Sequence, residues 1–202
     1  MFQSIEFTEG WRCFKAGDRF DFRPGVNLLV GDQGSGKSSL IGALQGVGLK
    51  DPPHKFKHLR EGTIIEATAC ETYFFDFEKD NVRTKGHFGE NMVFQVSSMF
   101  HSHGETNIAM IDSLQAVDDC LVMLDEPDMA LSVRTCRLLV KRLMEVADRG
   151  GQVIAAVHNP IVIQAFNEVL SLEHRRWMPG GEFIADQLAC EHCGCHPCGC
   201  GG

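Results

Sequence analysis

The stretch Gly31-Asp32-Gln33-Gly34-Ser35-Gly36-Lys37-Ser38-Ser39 has the composition and spacing of a loop that holds phosphate. Its glycines let the backbone turn tightly and point N–H groups inward at phosphate oxygens. Lys37 can reach the terminal phosphates of a nucleotide, and the Ser38 hydroxyl can ligate Mg²⁺. A second set, Asp125-Glu126-Pro127, follows the apolar run Cys120-Leu121-Val122-Met123-Leu124. There Asp125 can hold the metal through water, and Glu126 can polarise an attacking water. Taken alone, such an acidic pair is commonly just the entry to a helix. His158, in Val157-His158-Asn159-Pro160, is a third candidate. A lone histidine at a strand end is more often structural, but the edge it shares with Lys37 and Asp125 suits contact with a γ-phosphate. Phe100-His101-Ser102-His103-Gly104-Glu105-Thr106 is the fourth. Ser102 and the Gly104 backbone, opening a helix, can bind phosphate; an ordinary cap with Glu105 favouring the first turn reads equally well.

These residues need strands and helices to bring them together. Val26-Asn27-Leu28-Leu29-Val30 is an apolar run directly before the glycine loop, so the pattern predicts a buried strand, the loop, then a helix from about Ser38 to Gln45 ended by Gly46 and Gly48. Ser4-Ile5-Glu6-Phe7 and Arg19-Phe20-Asp21-Phe22 alternate apolar and polar and read as antiparallel strands. Two more strands are expected over 63–69 and 73–77, and exposed loops over 51–60 and 79–91. In the second half, Ile108, Ile111, Leu114 and Val117 fall at helical spacing. Buried strands are expected over 120–124 and 152–157, with an amphipathic helix over 131–147 between them. That helix would bury Val133, Cys136, Leu139, Val140, Leu143 and Val146, and Gly150-Gly151 would stop it. A short helix over 160–167 and a strand over 169–172 would close the series. Alternation of this kind predicts an α/β fold whose mainly parallel sheet is flanked by helices, with an antiparallel portion at the N-terminal end.

Composition narrows the partners. The 202 residues are 44% hydrophobic and 23% charged, ordinary for a water-soluble globular chain with one good core. A net charge of −8 gives no general attraction to nucleic acid. The densest basic stretch is Lys50, Lys55, Lys57, His58 and Arg60, which reads as a solvated loop. No signal peptide and no run long enough to cross a membrane is visible, so a cytoplasmic location is expected. Cys13, Cys70, Cys120 and Cys136 sit in apolar patterns and read as reduced core residues.

Phosphate loop, Ser102-His103-Gly104-Glu105, acidic pair and His158, in that order, resemble the ABC-type ATPase superfamily. Asp125-Glu126-Pro127-Asp128-Met129-Ala130-Leu131-Ser132 looks very like that superfamily's Walker B motif and D-loop. Ser-His-Gly-Glu, in place of Leu-Ser-Gly-Gly-Gln, is similar to compact soluble ATPases of bacteria and phages, relatives of SMC and RecF heads. The resemblance covers residues 1 to about 175, which would form the P-loop ATPase domain; 176–189 would be an extension and 190–202 a tail. It implies ATP and Mg²⁺ as ligands, with Gly31 through Ser39 around the phosphates, Ser38 and Asp125 on the metal, and Lys37, Glu126 and His158 at the reacting centre. It also implies an ATP-dependent homodimer, in which Ser102, Gly104 and Glu105 of one head cap the γ-phosphate held by the other. A protein partner would feel the opening, and DNA could be engaged through that partner. No coiled-coil arm interrupts this chain. Gln95 and Glu78 are weak candidates for a Q-loop residue, and Trp11, Arg12 and Phe14 for the adenine contact.

The C-terminal run holds Cys190, Cys193, Cys195, Cys198 and Cys200 with His192 and His196. Thiols and imidazoles this dense can bind Zn²⁺ or another soft metal, although the spacing is too tight for an ordinary zinc ribbon. The alternative is a plain reduced tail. An alternative function follows: a nucleotide-gated metal-handling protein like the hydrogenase and urease maturation GTPases. Against it, no Asn-Lys-x-Asp motif for guanine occurs. A module that senses ATP without hydrolysing it is opposed by Glu126, and a P-loop kinase by the lack of an arginine-rich lid.

Overall fold

Two sets of apolar side chains, one on each face of a six-stranded sheet, organise the molecule. The computed structural model describes residues 1–48, 62–77, 108, 111–112, 114 and 118–189. The strands are β1 (Phe2–Phe7), β2 (Arg19–Asp21), β3 (Gly25–Val30), β4 (Thr63–Ala67), β5 (Thr72–Asp76), β6 (Leu121–Asp125), β7 (Gln152–Ala156), β8 (Glu168–Ser171) and β9 (Arg176–Pro179). The helices are α1 (Lys37–Gly48), α2 (Val133–Asp148), α3 (Pro160–Gln164) and α4 (Gly180–Gln187).

The main sheet runs β5-β6-β7-β3-β8-β9, parallel throughout except for β9, which returns antiparallel beside β8. Every residue of β6 and β7 is buried. Their side chains alternate between the two cores, as the period of a strand dictates. Val122, Leu124, Val153 and Ala155 face one core, with Leu28 and Val30 of β3. Leu121, Met123, Ile154 and Ala156 face the other, with Leu29. The first core is covered by Cys136, Leu139, Leu143 and Val146 of α2, Val162 and Ile163 of α3, and Phe183 of α4. The second is covered by Leu40, Ile41 and Leu44 of α1 and by the phenylalanines of the smaller sheet β2-β1-β4, whose pairings are antiparallel.

Helix boundaries follow local chemistry. Ser132 caps α2, its hydroxyl accepting from the Thr135 amide at 3.3 Å. Gly150 at φ 82° ends it, with Gly150 N–H on Ala147 O and Gly151 N–H on Val146 O, both at 3.0 Å, a Schellman arrangement. The expected burial of Val133 does not occur; in the first turn of α2 it is 58% exposed, ahead of the point where the helix meets the sheet. Helix α1 is longer than expected at both ends, because Gly46 and Gly48 are tolerated where the preceding turns are packed into the core. Helix α3, expected over 160–167, stops at Gln164.

Strand β8 does not close the series. The hairpin to β9 widens the sheet, and α4 follows directly, so residues 176–187 add a strand and a helix to the same layers. Gly180 is required there: a Cβ would lie 2.7 Å from the Ile163 carbonyl oxygen of α3. Cys120 and Cys136 are buried as expected, and Cys70 is half-buried. Cys13 departs from expectation and is exposed, because the turn between β1 and β2 carries it out of the aromatic cluster formed by Phe7, Phe14 and Phe20.

Candidate functional site

The carboxyl ends of the parallel strands meet at one edge, where α/β folds place their ligands. Register fixes the gathering: Leu29 lies opposite Ala156, Ala156 opposite Asp125, and Asp125 opposite Asp76. The residues just beyond, Gly31 to Ser38, Asp125 with Glu126, and His158, are thereby brought together. Backbone bonds continue the registration past the strands, from Val157 N–H to Leu29 O and from Glu126 N–H to Ala156 O, each 3.1 Å.

Gly31, Gly34 and Gly36 have φ of 149°, 86° and 104°. Around this loop Lys37 curls back, its Nζ donating to Gly31 O at 2.6 Å and Asp32 O at 2.9 Å, with Ser35 Oγ at 3.4 Å. Lys37 is only 5% exposed. Burial lowers its pKa, while Glu126, Glu173, Asp32 and Asp125 act in the opposite direction. Ser38 Oγ donates to Asp125 Oδ1 at 2.9 Å. A hydroxyl and a carboxylate in contact at a helix N-terminus form a hard-oxygen donor set that fits Mg²⁺. Gly36 has room for backbone only: a Cβ there would meet Cys13 Sγ at 2.4 Å.

Glu126 sits at φ 53°, in the left-handed region, with its Oε1 3.3 Å from His158 Nε2. Beside them opens a cleft of about 550 Å³ lined by Asp32, Gln33, Glu126, Asp128, Met129, His158 and Asn159. The turn bearing Trp11, Arg12 and Phe14 flanks the loop, with Arg12 donating to Ser39 Oγ at 3.0 Å and its guanidinium over the Trp11 ring at 4.8 Å. Two residues assigned no role from the sequence, Asp128 within the Asp125–Ser132 motif and Glu173, also reach the site. Asp128 accepts the His158 amide at 2.7 Å, and Glu173 accepts the Asp32 amide, also at 2.7 Å. Asp128, two positions after Glu126, carried a signal in that spacing; Glu173 carried none. Ser102, Gly104 and Glu105, along with Gln95, Glu78 and the cysteines from 190 onward, lie outside the described residues.

The AAA domain family matches residues 8–107, which include the glycine loop. An inward-facing transporter assigned to the metal-chelate ABC type aligns at 21% identity over 87% of this chain and 81% of its own, with a TM-score of 0.57. A nucleotide-free ATP-binding cassette from an ABC transporter aligns at 14% identity over 95% and 97%, with a TM-score of 0.52. Residues 8–107 thus carry the AAA domain family's pattern, and the chain takes the P-loop α/β fold of ABC-type ATPase cassettes. At these identities the structures share the superfamily's P-loop α/β fold and nothing finer. No curated protein matches the sequence. The AAA domain match and this fold together support a nucleotide-binding ATPase. No helix among the described residues is long and apolar enough to cross a membrane.

Proposed function

We propose that this chain binds Mg²⁺–ATP along the Gly31–Ser39 loop and hydrolyses it to ADP and phosphate. One observation carries the reading: Ser38 Oγ and Asp125 Oδ1 stand 2.9 Å apart beside a buried Lys37, so metal and phosphate ligands from two distant segments converge. Ser38 and Asp125 would hold Mg²⁺, which when bound neutralises charge on the β- and γ-phosphates. Lys37 would exchange its carbonyl partners for phosphate oxygens. Glu126 takes a proton from the attacking water as its oxygen bonds to the γ-phosphorus, and the bond to the ADP oxygen breaks. His158, in contact with Glu126, donates to a γ-phosphate oxygen.

The reading extends to an ATP-dependent homodimer in which Ser102, Gly104 and Glu105 of the facing head complete each site. The open cleft beside Glu126 and His158 supports this reading by leaving room for such a cap. Opening after hydrolysis would be felt by a protein partner, with DNA reached through that partner.

Glu126→Gln tests the whole scheme. Turnover measured by phosphate release should fall about 100-fold or more, while Mg²⁺–ATP still binds. Light scattering should show the mass double with Mg²⁺–ATP and not without it. Normal turnover would remove the general base; an unchanged mass with nucleotide bound would remove the dimer.

A further inference from the structure

We propose that Asp128 is a positioning residue for the reaction: its buried carboxylate sets the backbone at His158 and Asn159 and so aims the His158 imidazole at the Glu126 side. This rests on the assignment of Glu126 and His158 given above.

Asp128 lies two residues after Glu126, in the turn between β6 and α2, and is 5% exposed. One of its oxygens, Oδ2, accepts both the His158 amide at 2.7 Å and the Asn159 amide at 2.5 Å. The other, Oδ1, is buried and has no hydrogen-bond partner among the described residues. Burying a carboxylate with one oxygen unpaired is costly, and an anchor needed only to cap a turn could be neutral. The two amides it grips belong to the segment leaving β7, and to no other part of the molecule.

The connections close a ring. Glu126 N–H bonds Ala156 O at 3.1 Å on one side of β7's end, and Asp128 holds the next two amides but one further along. From there the His158 imidazole returns to Glu126 Oε1 at 3.3 Å. Within the turn, Met129 N–H bonds Glu126 O at 3.2 Å, and both Glu126 and Ala130 hold left-handed φ, 53° and 57°. Conformations of that kind persist only where surrounding contacts over-determine them. Asn159 also begins α3, accepting from Ile161 N–H at 2.9 Å, so the Asp128 grip fixes the helix that follows His158 as well. Without the carboxylate, the peptide carrying His158 loses its tie to the turn carrying Glu126, and the two groups lose their shared frame.

The test is a double-mutant cycle on Mg²⁺–ATP turnover by the full chain. Asp128→Ala should lower kcat by about 10- to 100-fold, the loss that a misplacement near 1 Å produces, with KM changed by less than about threefold. Combined with His158→Ala it should be no slower than His158→Ala alone, because the aspartate acts through that imidazole. Asp128→Asn keeps an oxygen that can accept both amides and should recover turnover to within about threefold of the unsubstituted chain. A folded Asp128→Ala protein with unreduced kcat overturns the inference. So does a loss that multiplies with the His158→Ala loss, or an Asp128→Asn protein as slow as Asp128→Ala. If Asp128→Ala does not fold, Asp128→Glu, whose extra methylene displaces the oxygen, takes its place in the cycle with the same readings. Glu126→Gln and His158→Ala serve beside them: if both turn over normally, the parent assignment and this one fall together. If they are slow and Asp128→Ala is not, only the positioning role falls.

Discussion

The glycines of the Gly31–Ser39 loop are not equivalent. Gly34, at φ 86°, has open space where a Cβ would stand, whereas Gly36, at φ 104°, has Cys13 Sγ at 2.4 Å and Phe14 Cζ at 3.0 Å. Gly34→Ala therefore carries only the left-handed strain, about 1–2 kcal/mol, and should weaken Mg²⁺–ATP binding about tenfold. Gly36→Ala adds an overlap worth about 1–3 kcal/mol more, so calorimetric titration should show a loss beyond about a hundredfold. Adding Cys13→Ala should return part of it, since the sulfur overlap goes and the strain stays. Equal losses at the two positions would mean that the Cys13 turn moves aside freely. The glycine spacing was plain in the sequence, but the cysteine packed against it was not: Cys13 lies in a turn whose neighbours in space are more than twenty positions along the chain. Asp128 stood within the quoted Asp125–Ser132 motif, but its contacts were hidden for the same reason. Its partners are backbone amides 30 residues away, and amides leave no mark on a sequence.

At the scale of elements, what could be read was what local chemistry alone decides. Leu121 to Asp125 and Gln152 to Ala156 are buried on both faces, so continuous apolar runs announced them, and the Asp-Glu pair marked the carboxyl end of β6. The ends of α2 were legible through Cys136, Leu139, Leu143 and Val146 on one side and Gly150-Gly151 beyond. Strand β9 and helix α4 were not. Arg176-Trp177-Met178-Pro179 lacks clean alternation, and Pro179-Gly180-Gly181 reads as a break, although close approach to α3 makes the first glycine necessary. Cys120, at the mouth of β6, yields an element-scale prediction. Burial pushes its thiol from 9.0 up to about 11, so between those values the folded chain keeps a proton that the unfolded chain has lost. Stability from this group is therefore complete below about pH 9 and is lost as pH rises toward about 11. Cys120→Ala should flatten that decline. Its melting temperature should fall by roughly 4–8 °C less than the unsubstituted chain's across the window, which corresponds to about 2 kcal/mol in a domain of this size. Parallel curves would show that β6 opens before the thiol titrates.

For the molecule as a whole, the layers leave one edge for chemistry. Helices α2, α3 and α4 cover one face of the sheet, while α1 and the small antiparallel sheet cover the other. Among the described residues the carboxyl ends of β3, β6 and β7 stay uncovered, with the cleft beside Glu126 and His158 open there. A dimer closed over that edge must bring together two chains that each carry a net charge of −8, along with two bound anions. Long-range repulsion of this kind is screened by salt, whereas short contacts to phosphate in a closed, dehydrated site are screened far less. Raising ionic strength from about 0.01 M to about 0.1 M shortens the screening length from roughly 30 Å to roughly 10 Å. The Mg²⁺–ATP dimer of Glu126→Gln should therefore tighten over that range, by roughly three- to tenfold in dissociation constant. Sedimentation at fixed, saturating nucleotide measures it. Weakening with salt would mean that opposite charges face each other across the seam strongly enough to outweigh the net repulsion, and the interface would then have to be sought where acidic and basic surfaces of the two heads meet.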